Sequence, residues 1–282
     1  MILSTHGVIA SQIASASLLL DLYPSAAVAY SVRKLRTLYT GNAIKVRRSS
    51  DNTEQDIGFT ALGNLDTSAL TSFCGSGNGF VTTWYDQSGN ANNAVQTTAA
   101  NQPQIVSAGT IVTVNTKSAI KFSQTSLPGL LFTELNLTNF TILWVARNKD
   151  SGSNYVLLGK STGVPYAGDG VDNFGSPMMI SGSNNIITTG QSNTVNQTGR
   201  TAQHLSYLNR RSSTQAVGQF NNSSNAYNNS IPSTTFDTTG IATYGYSYNF
   251  QGDIQELVIY SSDKSSDRTG ISTDINTYYA IY

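Results

Sequence analysis

Hydrophobic residues along this chain recur at every second position or in short unbroken runs, and the runs end at clusters of Gly, Asn, Ser and Pro. In residues 43–48, Ile44 and Val46 alternate with Lys45 and Arg47, the signature of a strand with one buried face. Residues 80–85, 111–114, 119–122, 140–146, 155–158, 178–180 and 254–260 read as further strands. Weaker ones stand near 203–208, 215–220 and 241–248. Turn signals such as Ser88-Gly89-Asn90 and Gly168-Asp169-Gly170 separate them.

Two stretches show a helical period instead. In residues 25–39, Val28, Val32, Leu35 and Tyr39 fall on one face, with Pro24 ahead and Gly41 behind. Arg33, Lys34 and Arg36 lie toward its far end, where cations complement the helix dipole. In residues 266–279, Ile271, Ile275, Tyr278 and Tyr279 share a face and predict a C-terminal helix. Many strands without alternating helices exclude a parallel βαβ protein. The pattern predicts an all-β sandwich with a short N-terminal helix and a C-terminal helix, and no repeat of solenoid or propeller period is visible.

Residues 1–20 are small and uncharged, with Ile2, Leu3, Val8, Ile9 and Ile13 as sticky points. They read as an unpacked terminus or, preferably, as an arm that docks on a neighbouring subunit. The division expected is therefore a 1–20 arm and one 21–282 sandwich domain, a size that all-β folds reach as a single unit.

Composition narrows the function. Only 11% of residues are charged and the formal net charge is zero, which leaves no electrostatic footprint for nucleic acid or an anionic membrane. A hydrophobic share of 39% with 15 Tyr excludes disorder. Cys74 is the only cysteine, so no internal disulfide forms, and a lone thiol suits folding in a reducing cytoplasm. The first 20 residues lack Lys and Arg and do not read as a signal peptide. No apolar run approaches the ~20 residues that span a bilayer, so membrane insertion is not expected.

Two motifs carry more. Trp84-Tyr85-Asp86-Gln87-Ser88-Gly89-Asn90-Ala91-Asn92-Asn93 ends a strand in a tight turn, where Asp86 can accept backbone hydrogen bonds and Gly89 and Asn90 tolerate positive φ. Near the other end, Phe250-Gln251-Gly252-Asp253-Ile254-Gln255-Glu256-Leu257-Val258-Ile259-Tyr260 reads as a strand before the last helix. In this order, the two resemble the early turn and closing strand of concanavalin-like and laminin-G-like domains, which implies a jelly-roll sandwich. Ala29-Tyr30-Ser31-Val32-Arg33, Ile44 to Asp51, Asp56-Ile57-Gly58, Phe73-Cys74 and Tyr85 to Gly89 add a narrower likeness. Together they resemble the N-terminal half of the arabinofuranosidase B catalytic domain. The resemblance implies a retaining glycosidase, which needs two carboxyls about 5–5.5 Å apart. Neither carboxyl motif of that family aligns here, its disulfides are missing, and Glu54, Glu134 and Glu256 are the only glutamates.

A third likeness lies at the chain ends. Thr5-His6-Gly7-Val8-Ile9-Ala10-Ser11 and Ile275-Asn276-Thr277-Tyr278-Tyr279-Ala280-Ile281-Tyr282 are similar to stretches of tailed-bacteriophage structural proteins. That implies a virion surface role, assembled in the host cytoplasm, as capsid decoration, tail fibre or adhesin.

The candidate residues are weighed individually. Asp86 could bind sugar or calcium, but such an Asp more often pins its own turn. Asp169 and Asp172 have the oxygen density of a Ca²⁺ loop without the EF-hand spacing, so no cofactor is expected, with Ca²⁺ as the alternative. Tyr244, Tyr246 and Tyr248 alternate on one strand face and would either stack on sugar rings or face the core or a partner. Trp84, Trp144, Met178 and Met179 read as core, Arg210-Arg211 as a solvated turn, and His6 and His204 as too isolated for a metal or a triad. The reading drawn from all this is a non-enzymatic, homo-oligomeric virion surface protein with a carbohydrate-binding-type sandwich. Its expected partners are capsid or tail subunits and a host-surface glycan. The alternatives are an arabinofuranosidase-type glycoside hydrolase, with Asp169, Asp172, Asp237 or Asp253 as carboxyls, and a bacterial lectin or adhesin.

Overall fold

The computed structural model describes residues 17–123, 129–149, 155–159, 178–180, 186–188, 191–193, 199–212, 215–228, 235–242 and 250–282. Its strands pair antiparallel throughout, in two stacked layers joined along one edge. In the first layer the order is Ala216–Phe220, His204–Arg210, Phe140–Asn148 and Gly252–Tyr260. The free side of Gly252–Tyr260 is shared by Ala26–Ser31, against residues 256–260, and Ile120–Phe122, against residues 252–254. In the second layer Ile44–Arg48 lies between Glu54–Ile57 and Gly79–Trp84. Ala94–Val95 then leads to Leu130–Leu137, Phe236–Ile241 and Tyr155–Gly159. Gln104–Ser107 pairs with both Gly79–Trp84 and Ile120–Phe122 and so curls the layers together. This is the all-β, jelly-roll-like sandwich.

The main core fills the space between layers, with Tyr30, Trp84, Ile142, Trp144, Leu257 and Ile259 all inaccessible to solvent. A second core covers the outer face of the first layer, where Leu143, Val145, Val258 and Tyr260 meet two helices. These are α1 (Leu19–Leu22) and α3 (Arg268–Tyr279), which contribute Leu19, Leu20, Ile271, Ile275 and Tyr279. Burial on both faces explains why Phe140–Asn148 reads as an unbroken apolar run rather than an alternating one.

The same double burial misleads the helical reading of residues 25–39. The segment holds the strand Ala26–Ser31 followed by non-helical chain, and the N-terminal helix lies ahead of it at Leu19–Leu22. Val28, Tyr30 and Val32 enter the main core while Ala26, Ala29 and Leu35 enter the second. A strand greasy on both sides loses its period of two, and the spacing that remains mimics a helix face. A further helix, α2 (Thr67–Cys74), starts at Asp66, whose carboxylate accepts a hydrogen bond from the Ala69 amide, and stops at Gly75 with φ 56°. Arg210, read as solvated, ends its strand buried instead.

Candidate functional site

Register places the chemistry at one end of the first layer. Lys121 is the cross-strand partner of Asp253, and Asp253 of Arg147, so the three side chains form a row on the face turned away from the main core. Asp253 is nearly inaccessible. Its Oδ2 accepts from Arg147 Nε at 2.9 Å and Nη2 at 2.7 Å, whereas its Oδ1 has no protein partner. Next along the central strand, Asn148 is 2% exposed, and neither its Oδ1 nor its Nδ2 is hydrogen-bonded. An unpaired buried polar group costs about 1–3 kcal/mol, so such groups persist mainly where a ligand or solvent completes them.

These residues line a cleft of about 660 Å³ together with Lys149, Thr201 and Gln251. Lys149 Nζ donates to Gln251 Oε1 at 3.1 Å, and the Lys149 amide donates to the Gln251 carbonyl. Gly252 sits at the rim with φ 144°, and a Cβ there would stand 2.1 Å from the Arg147 carbonyl oxygen. The strand ends can close this tightly only around a glycine. Among the described residues Asp253 is the one carboxylate lining the cleft.

Further polar atoms lie buried along the core side of the neighbouring strands. Trp144 pairs with Ser206 and Ala146 with His204. Trp144 Nε1, Ser206 Oγ and His204 Nε2 all lack partners. Burial pushes the His204 pKa down to about 4, so the ring is neutral at physiological pH.

Asp86 serves the fold. Its Oδ1 accepts from the amides of Ala29 at 2.8 Å and Ser88 at 2.9 Å, and its Oδ2 from Ser88 Oγ at 2.7 Å and the Asn92 amide at 3.1 Å. Gly89 has φ 100°, and Asn90 Nδ2 donates to the carbonyls of Ala26 and Ala27. Gln87, fully buried, accepts from the Leu35 amide and donates to the carbonyls of Ser31 and Arg33. The turn therefore stitches the first strand to the second layer, with every Asp86 oxygen engaged.

Glu256 is likewise committed. Arg33 donates through Nε to Oε2 at 2.8 Å and through Nη2 to Oε1 at 3.0 Å, and Ser31 Oγ and Tyr279 Oη also donate to Oε2. Asp274 on α3 takes a second bond from Arg33 Nη2 at 2.8 Å. Burial would lower the Arg33 pKa, but the Glu256 charge and hydrogen bonds raise it beyond its ordinary value. This network ties the first strand, the closing strand and α3 together under the surface.

Asp237 lies on Phe236–Ile241 in the second layer and does not line the cleft. Asp169, Asp172, Tyr244, Tyr246 and Tyr248 fall outside the described residues, as do Ile2, Leu3, Val8, Ile9 and Ile13 of the proposed arm. Among the described residues no group of three or more His, Cys, Asp or Glu could hold a metal ion. Lys121, Arg147 and Asn148 escaped the sequence reading. The available signal was polar residues capping apolar strands at Arg147-Asn148 and Gln251-Gly252-Asp253.

A two-layer all-β sandwich with a polar cleft at the strand ends defines a class that includes carbohydrate-active domains, and the likenesses to known proteins sharpen it. The family model of the alpha-L-arabinofuranosidase B catalytic domain matches residues 21–126. A GH54 α-L-arabinofuranosidase mutant soaked with 4-nitrophenyl α-L-arabinofuranoside superimposes with a TM-score of 0.63 at 18% identity, over 91% of this chain and 63% of that one. An arabinofuranosidase complexed with arabinofuranosyl-alpha-1,2-xylobiose gives 0.60 at 18% identity, with the same coverage. A GH54 enzyme soaked with a cyclic sulfate inhibitor gives 0.55 at 20% identity. The chain thus spans 63% of the length of those enzymes. No curated protein sequence matches it. The chain carries an arabinofuranosidase-like domain.

These matches overturn the non-enzymatic virion reading. The relatives found through both the sequence profile and the fold are glycoside hydrolases, not capsid decorations, fibres or tail adhesins. The virion surface location and the bacteriophage setting fall with it. The short likenesses at the chain ends carry less specificity than a profile match over residues 21–126.

Proposed function

We propose that the domain is a glycoside hydrolase of the arabinofuranosidase type and that the cleft around Asp253 is its sugar site. The observation that carries this is Asp253 Oδ1, a nearly inaccessible carboxylate oxygen without a partner in a cleft large enough for a sugar. Arg147 grips the other oxygen and fixes the carboxylate's orientation. Gln251 and Thr201, which line the same cleft, offer polar groups to a sugar hydroxyl. Hydrolysis of a glycoside takes a second carboxyl, and the acids outside the described residues are Asp150, Asp169 and Asp172. The test is release of nitrophenol from 4-nitrophenyl α-L-arabinofuranoside by the intact chain and by Asp253→Asn, Asp150→Asn, Asp169→Asn and Asp172→Asn. Turnover that falls at least about 10²-fold in Asp253→Asn and in one other variant is the expected result. Absence of turnover in the parent chain, or full activity in Asp253→Asn, overturns the proposal.

A further inference from the structure

We infer that the cleft selects an anionic sugar, one carrying a carboxylate as a uronic acid unit does. The inference rests on the cleft being the sugar site and adds the charge of what it takes. In a chain of zero formal net charge with 11% charged residues, three cations, Lys121, Arg147 and Lys149, gather around one carboxylate, Asp253, among the described residues. Arg147 is already neutralised, since its Nε and Nη2 both donate to Asp253 Oδ2. The surplus therefore belongs to the two lysines. Lys121 makes no side-chain hydrogen bond or ion pair among the described residues. Among the described residues Lys149 has a single neutral partner, the Gln251 side-chain carbonyl.

A neutral sugar would need only donors and acceptors, which Thr201 and Gln251 already supply. Two ammonium groups flanking the neutralised Arg147–Asp253 pair leave a positive potential at the cleft mouth, which a negative charge on the ligand complements. Lys121 lies on the strand to one side of Asp253, and Lys149 follows the strand to its other side. A carboxylate entering between them would meet both. The ring hydroxyls would then reach Thr201 and the Gln251 side-chain amide, which line the same cleft.

The test measures binding of glucuronate, glucose and inorganic sulfate to the intact chain by titration calorimetry, following the Gln251 side-chain amide by NMR. An exposed ion pair multiplies affinity by up to about fivefold, so two lysines give glucuronate roughly a tenfold advantage over glucose, weakened by salt. That advantage shrinks in Lys121→Gln and vanishes in Lys121→Gln with Lys149→Gln, and the Gln251 amide signal moves with glucuronate. Equal binding of glucuronate and glucose, or no binding of either at millimolar concentration, overturns the inference. So does sulfate binding as tightly as glucuronate, which would show an adventitious ion only. Aryl arabinofuranoside turnover, followed in parallel, separates the two readings. Turnover with no charge preference removes this inference and leaves the hydrolase, whereas charge preference with no turnover does the reverse.

Discussion

Acidification should weaken this fold chiefly through one imidazole. His204 is inaccessible to solvent, its ring stacked 5.1 Å from Phe220, with Nδ1 3.3 Å from the Ala202 carbonyl oxygen and Nε2 unpartnered. Burial, reinforced by the nearby Arg200 charge, pushes its pKa from 6.5 to about 4. The unfolded chain therefore takes up a proton near pH 6.5 and the folded chain only near pH 4. Between these values the unfolded state binds more protons, so stability is full above pH 6.5 and falls as the pH drops toward 4. A gap of roughly 2.5 units at about 1.36 kcal/mol each amounts to ~3 kcal/mol, of which ~2 kcal/mol is gone by about pH 5. Asp21 and Asp51, whose pKa values are lowered, lose their contributions at more acid pH, below this window. Urea unfolding between pH 7.5 and 4.5 should show that loss in the parent chain and a nearly flat profile in His204→Phe, whose ring keeps the stack on Phe220. If the parent and variant profiles run parallel, the ring is not held neutral by burial and the argument fails.

Three further outcomes follow from the same geometry. Arg33→Met leaves Glu256 buried without its cation and should cost about 3–5 kcal/mol in urea unfolding, while the double change with Glu256→Leu costs less than the sum; two single losses below ~1 kcal/mol would count against a coupled pair. Gly252→Ala drives a Cβ to 2.1 Å from the Arg147 carbonyl at φ 144°, so a drop of about 1–3 kcal/mol and weakened sugar binding are expected; an unchanged melting temperature would mean the rim is looser than described. Asp86→Ala removes four hydrogen bonds from a buried turn and should cost about 2–4 kcal/mol without entering the cleft. Circular dichroism melts and sugar titration together would reveal whether it acts on stability alone.

Some of the fold is legible because local chemistry and tertiary context agree. The turn from Asp86 to Asn90 folds on its own hydrogen bonds, and Ile271, Ile275 and Tyr279 meet the outer sheet face with the period of a helix. Ala26–Ser31 is illegible for a physical reason. Its side chains are buried above and below, and the helix cover that buries the upper set comes from residues about 240 positions later. The α2 helix is only two turns long, so its apolar stripe is reduced to Leu70, Phe73 and Cys74 between the end signals Asp66 and Gly75.

The cleft is harder to read because it exists only through register. Lys121, Arg147 and Asp253 are neighbours across three strands, and no local spacing announces this. Their alignment depends on a bulge, since Val145 pairs with Glu256 but Ala146 with Ile254, leaving Gln255 as the extra residue. Glu256 and Val258 point away from the main core while Ile254 points into it, so the bulge inverts the alternation of everything before it. Without it Asp253 would share a face with Leu257 and point into apolar packing instead of beside Arg147. Gln255 is held in place by its Nε2 donating to the carbonyls of Val114, Lys117 and Ser118, while its Oε1 accepts from Gln203 Nε2. Deleting Gln255 should therefore abolish the cleft's chemistry even if the apolar strand finds a way to pair. A deletion variant that retained charge-selective sugar binding would show that the site does not depend on this register.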